Sequence, residues 1–190
     1  MRWELELLQL PQQQHKARTG ILGSRPQVNF FNPGPHTIVK RNADYADPSA
    51  STSPSDNGIQ LYGGPNPPPY HVTNRLYLGE VCGTTVLSKT SGQGKTTLVL
   101  TVEKGVSASW DKSLSIDAKY VNAGMGFNVT KSYTVKNETR FEVPAGKRGY
   151  VEAYPLYNRY SARVSDALGI FMGNITALKP VGVCFNQWAK

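Results

Sequence analysis

From Val106 to Tyr120 apolar and polar residues alternate. The even positions Val106, Ala108, Trp110, Leu114, Ile116, Ala118 and Tyr120 are apolar, the odd positions are polar, and Lys112 alone breaks the pattern. A sustained period of two predicts a half-buried strand. At Val121 the parity flips. Val121, Ala123, Met125, Phe127, Val129, Tyr133 and Val135 are now the apolar set, with Lys131 as the exception. A parity change between two alternating runs predicts a turn or bulge near Tyr120–Asn122. Val106–Val135 therefore reads as one long amphipathic hairpin. Its apolar side, Trp110, Leu114, Ile116, Tyr120, Met125, Phe127 and Val129, is either a core face or a face that meets lipid.

The flanking chain has the same character. Leu76-Tyr77-Leu78, Thr84–Leu87 and the β-branched run Thr96–Val102 predict further strands. The odd parity continues through Phe141 and Val143 to a turn at Pro144–Gly149, and Gly182–Trp188 forms a last apolar segment. Between them Tyr154, Tyr157 and Tyr160 fall on both faces of one strand. That suits either a central strand or one whose outer face meets a partner, so the three rings are candidate partner-binding aromatics. Pro155 fits a bulge or a strand break. Residues 71–190 are expected to form an antiparallel β-sandwich with long strands, and the chain as a whole is all-β.

Residues 1–70 differ. They hold ten of the 13 prolines, and from Asn42 to Tyr70 the composition is that of an extended linker. Phe30, Phe31, Ile38 and Val39 flank Asn32-Pro33-Gly34-Pro35. Residues 28–39 are expected to form a small hairpin around the Pro-Gly turn, or an apolar arm that docks on a neighbour, or a leader with a few sticky residues.

The net charge of +8 permits attraction to an anionic membrane or glycan surface as well as to nucleic acid. Between Thr84 and Val164 there are 12 Lys/Arg and 6 Asp/Glu, spread along strand ends and turns. That is how edge strands resist aggregation, so nucleic acid is not the expected partner. Cys82 and Cys184 lie outside any metal-ligand spacing. They are either two buried thiols or one disulfide closing about 100 residues, which would contribute on the order of 4–5 kcal/mol in the chain-entropy model. The disulfide is the expectation because the rest of the chain has a secreted character. Met1–Leu8 carries two glutamates where a signal peptide needs an apolar core, so secretion would need a different start or another route.

Catalytic chemistry finds little support. Gly94-Lys95-Thr96-Thr97 looks like a phosphate-binding loop, but Lys89 stands where the loop needs its first glycine, and a strand follows in place of a helix. His15, His36 and His71 lie in or beside the leader, away from any serine–acid arrangement. Glu138 and Glu142, with Arg140 between them, read as a solvated, charge-balanced face. No enzymatic activity, cofactor or small-molecule substrate is expected.

The Ser/Thr-rich alternation, followed by Ser132-Tyr133-Thr134-Val135, Phe141-Glu142-Val143-Pro144-Ala145-Gly146-Lys147 and an aromatic strand, resembles the strand region of β-pore-forming proteins of the aerolysin and epsilon-toxin type. With Lys179-Pro180-Val181-Gly182-Val183-Cys184-Phe185-Asn186, the chain is also similar to small uncharacterised secreted proteins of Gram-positive bacteria, actinomycetes in particular. Two functions are therefore expected. One is a secreted, non-catalytic β-sandwich that binds a protein partner or self-associates as an assembly subunit, its leader added as a strand to a neighbour's sheet. The other is a membrane-active protein that inserts Val106–Val135 into lipid as one hairpin of a shared barrel.

Overall fold

The structure, a computed structural model, describes residues 29–48 and 69–190. Ten elements follow in chain order: β1 (Phe30–Phe31), β2 (Thr37–Arg41), β3 (Tyr70–Gly83), β4 (Ser88–Gln93), β5 (Thr96–Ser107), β6 (Ser109–Trp110), α1 (Ala118–Met125), β7 (Ser132–Val143), β8 (Arg148–Asp166) and β9 (Phe171–Ala189). Every strand pairing is antiparallel. The fold is all-β, as its alternating sequence implies.

The scaffold is the hairpin of β8 and β9, two 19-residue strands paired along their length. One edge of β8 is shared by two strands: β3 pairs with its second half and β4 with its first. Between the pairs Cys82–Leu156 and Ser88–Ala153, Tyr154 and Pro155 have no ladder partner on that edge. A missing proline N–H costs least at such a gap. β8 runs through Pro155 unbroken, and the register shift comes one step later, between Leu156 and Tyr157.

β5 and β7 form a separate two-stranded sheet over one face of this scaffold. Leu98, Leu100, Val102 and Val106 of β5, with Val135 and Val143 of β7, bury against Val151, Ala153, Tyr157, Val183 and Phe185. Each fully buried Val or Leu contributes about 1.5–3 kcal/mol, so this interface is a main source of stability. Gly94-Lys95 is the turn from β4 into β5, with Lys95 at φ 49.

On the opposite face the disulfide Cys82–Cys184 spans β3 to β9 over β8, with a Cα–Cα distance of 6.0 Å. The expected bond is present. Both cysteines are buried with Leu156 and Val181, and Phe31, Val39, Tyr45 and Tyr154 pack over them.

Two sequence expectations need correcting. The hairpin around Pro33-Gly34 does not form: β1 pairs with β3, and β2 pairs with β9 on the far side of the sheet. Residues 29–48 are an arm laid across this chain's own sheet. The long hairpin Val106–Val135 does not form either. The β5–β7 ladder ends at Ser107–Ser132, and the chain between folds back as β6, a loop and α1.

The helix arises because Asp117 caps it, its side chain accepting from the Lys119 N–H, while Gly126 closes it at φ 70. Val121 and Met125, four apart, share the buried face of a helix as readily as one face of a strand. Gly124 lets the helix rest on β3, since a Cβ there would collide with the Val72 side chain and carbonyl.

Candidate functional site

The loop and helix between β6 and β7 cover the upper half of the sheet. Trp110, Ile116, Met125 and Val129 are buried there, and Leu114, Tyr120 and Phe127 are partly buried. All seven residues of the expected hairpin face thus converge on one cluster with Tyr160, Ala162, Val164, Ile175 and Ala177. In this fold they are core.

The three tyrosines divide differently from expectation. Tyr157 lies in the core under β5 and β7, and Tyr160 in the core under α1. Both are corrected from partner-binding to structural, because both faces of β8 are covered there, one by β5 and β7 and the other by α1. Tyr154 is half-buried, its ring edge-on to Phe31 at 5.4 Å, and its hydroxyl donates to Glu152. Burial and this carboxylate push its pKa up to about 12.

The docking arm is held by polar contacts as well as apolar ones. The Arg41 guanidinium donates to both Glu80 oxygens, at 2.7 and 2.8 Å, and lies over the Tyr45 ring. The Glu80 carboxylate raises the Arg41 pKa further above its ordinary value. Burial raises the Tyr45 and Tyr77 phenols, with the Glu80 charge adding in the same direction. The Asn42 side chain donates to the Thr134 carbonyl and accepts from the Lys136 N–H, tying the arm to β7. Phe31 and Val39 are the seated residues, while Phe30 and Ile38 stay exposed.

The exposed apolar surface concentrates where the sequence pattern loosens. At the tip of the β8–β9 hairpin Leu168 is 84% exposed, Ile170 61%, Phe171 52% and Met172 40%. The turn that presents them is ordered. The Asp166 side chain accepts from the N–H groups of Leu168 and Ile170 at 2.9 and 2.8 Å. The Asp166 N–H donates to the Ile170 carbonyl at 3.0 Å, and Gly169 takes the left-handed φ of 80 that closes the loop. A hydrogen-bonded turn carrying four large exposed apolar side chains is a candidate interaction surface. The sequence holds the signal in Leu168-Gly169-Ile170-Phe171-Met172, an apolar run around a turn glycine where polar residues are the rule.

At the tip the Arg163 guanidinium lies 4.6 Å over the Phe171 ring, and the Asp166 side chain is spent on the N–H groups of the turn.

Among the described residues no cluster of His, Cys, Asp and Glu could hold a metal ion, and no helix is long and apolar enough to cross a membrane. Compared with known proteins, the chain matches no family model and no curated protein.

Proposed function

We propose that this is a secreted, non-catalytic β-sandwich protein that works as an assembly subunit, with the Leu168–Met172 tip as its contact surface. The carrying observation is the exposure of four large apolar side chains on a turn that Asp166 holds rigid. Preorganisation matters because a rigid contact loses little conformational freedom on binding. Four large apolar side chains favour an apolar protein surface over an anionic membrane or glycan, and an identical tip on a second copy is a self-complementary choice. A disulfide between buried cysteines agrees with an extracellular setting. Replacing Leu168, Ile170 and Met172 together by serine should abolish concentration-dependent association and leave the melting temperature unchanged.

A second reading, insertion of Val106–Val135 into lipid, is favoured by one observation. Continuing the β5–β7 register beyond Ser107–Ser132 would set Trp110 opposite Val129, Leu114 opposite Met125, Ile116 opposite Ala123 and Ala118 opposite Val121. Apolar would meet apolar on one face throughout, except at Lys112 and Lys131, each costing about 2–4 kcal/mol near a bilayer midplane. The segment that packs on the sheet thus also carries the pattern of a longer hairpin. Dye release from anionic vesicles tests this reading, and vesicles that stay intact under saturating protein would rule it out.

A further inference from the structure

On the face of the sheet opposite α1, the cluster under β5 and β7 ends at Tyr157 on β8 and Leu178 on β9. Beyond it, Tyr160, Ala162 and Val164 point under α1, so the alternating residues Arg159, Ser161 and Arg163 point to the other side. Their register partners on this side are Leu76 and Thr73 of β3, and Leu178, Thr176 and Asn174 of β9, none of them acidic. The Arg159 guanidinium lies 5.4 Å over the Phe30 ring and the Arg163 guanidinium 4.6 Å over the Phe171 ring. Leu76 and both rings are exposed. The Arg159 Nε is buried and has no hydrogen-bond partner. Two cations, one with an orphaned donor, among exposed apolar groups fit an occupant that brings carboxylates interleaved with apolar side chains.

The chain itself carries such a segment. In residues 1–28 the only acids are Glu4 and Glu6, set within Trp3-Glu4-Leu5-Glu6-Leu7-Leu8-Gln9-Leu10. This part of the chain joins the described residues at Asn29, beside the ring that lies under Arg159. The 19 residue-to-residue steps from Leu10 to Asn29 reach up to about 60 Å when extended, several times the ~13 Å that separates Arg159 from Arg163 along β8.

We propose that this half-sheet face is the docking surface for the Trp3–Leu10 segment of the same chain, with Glu4 and Glu6 taken by Arg159 and Arg163 and the leucines laid over Leu76, Phe30 and Phe171. The surface meets the tip at Phe171, but the assembly variant alters only Leu168, Ile170 and Met172 and the docking variants alter only charges, so the two readings are tested separately.

Amide hydrogen exchange on the full-length protein tests it. Amides of Trp3–Leu10 should exchange at least ~10-fold more slowly than in the isolated Met1–Leu10 peptide, at every protein concentration. Arg159→Glu with Arg163→Glu should remove that protection, and so should Glu4→Arg with Glu6→Arg. All four changes together, which restore opposite charges, should bring it back. If the sheet does not tolerate the arginine changes, the Glu4 and Glu6 variant still decides, because it leaves every described residue unaltered. Exchange at the isolated-peptide rate in the unaltered protein would overturn the proposal. Protection that survives both charge reversals would overturn it too. Protection lost on dilution would place a second copy's segment on the face and overturn docking within one chain.

Discussion

At Gly182 a Cβ would collide with the Lys40 carbonyl, so one hydrogen atom in place of a methyl group lets β2 lie on β9. Gly182→Ala should therefore loosen the arm and spare the rest of the fold. Hydrogen exchange should show Thr37–Arg41 deprotected while β8 remains protected, and an unchanged arm would mean that β2 is not seated as described. Single residues of this kind were only partly legible in the sequence. Cys82 and Cys184 could be paired from composition and context alone, and Phe31 and Val39 could be marked as docking residues. Gly182 could not, because its constraint comes from a strand about 140 positions away. Tyr157 and Tyr160 misled for a related reason: β5, β7 and α1 cover both faces of β8, and these covering elements lie far from the two tyrosines in sequence.

Among the elements, the strands were visible wherever one face is wet, as in β5 and β7, where burial alternates residue by residue. The helix was not, although Asp117 and Gly126 stand at its two ends as helix signals. Ile116, Ala118 and Tyr120, then Val121, Ala123 and Met125, satisfy a period of two on each side of a parity flip. A short helix spends only two buried positions, which a strand pattern absorbs without conflict. Removing the cap should show which signal the fold obeys. Asp117→Ala should destabilise the protein by about 1 kcal/mol in denaturant unfolding and lower its helical circular-dichroism signal. A stability equal to that of the unaltered protein would mean that packing of Val121 and Met125 alone holds α1.

At the scale of the molecule, a β8–β9 hairpin is covered on one side by β5 and β7 over part of its length, and on the other by the arm and α1. Five tyrosines packed along this structure, Tyr45, Tyr77, Tyr154, Tyr157 and Tyr160, have raised pKa values, each mainly through burial. A phenol whose pKa is higher folded than unfolded contributes stability that is complete below the ordinary value of 10 and is lost as pH climbs toward 12, where Tyr154 titrates. The melting temperature should hold below pH 10 and fall steeply above it, with phenolate absorbance rising in step. A flat profile across that interval would contradict the burial of these rings. The all-β architecture was legible from alternation, but the tip was not, since an exposed apolar run reads as core until its turn is seen. The measurement closest to the central claim is sedimentation velocity over a range of protein concentrations. The unaltered protein should form assemblies that dissociate on dilution, and the variant with Leu168, Ile170 and Met172 replaced by serine should sediment as a monomer throughout. Equal association of the two proteins, or a monomer at every concentration for both, would contradict the tip as the assembly surface.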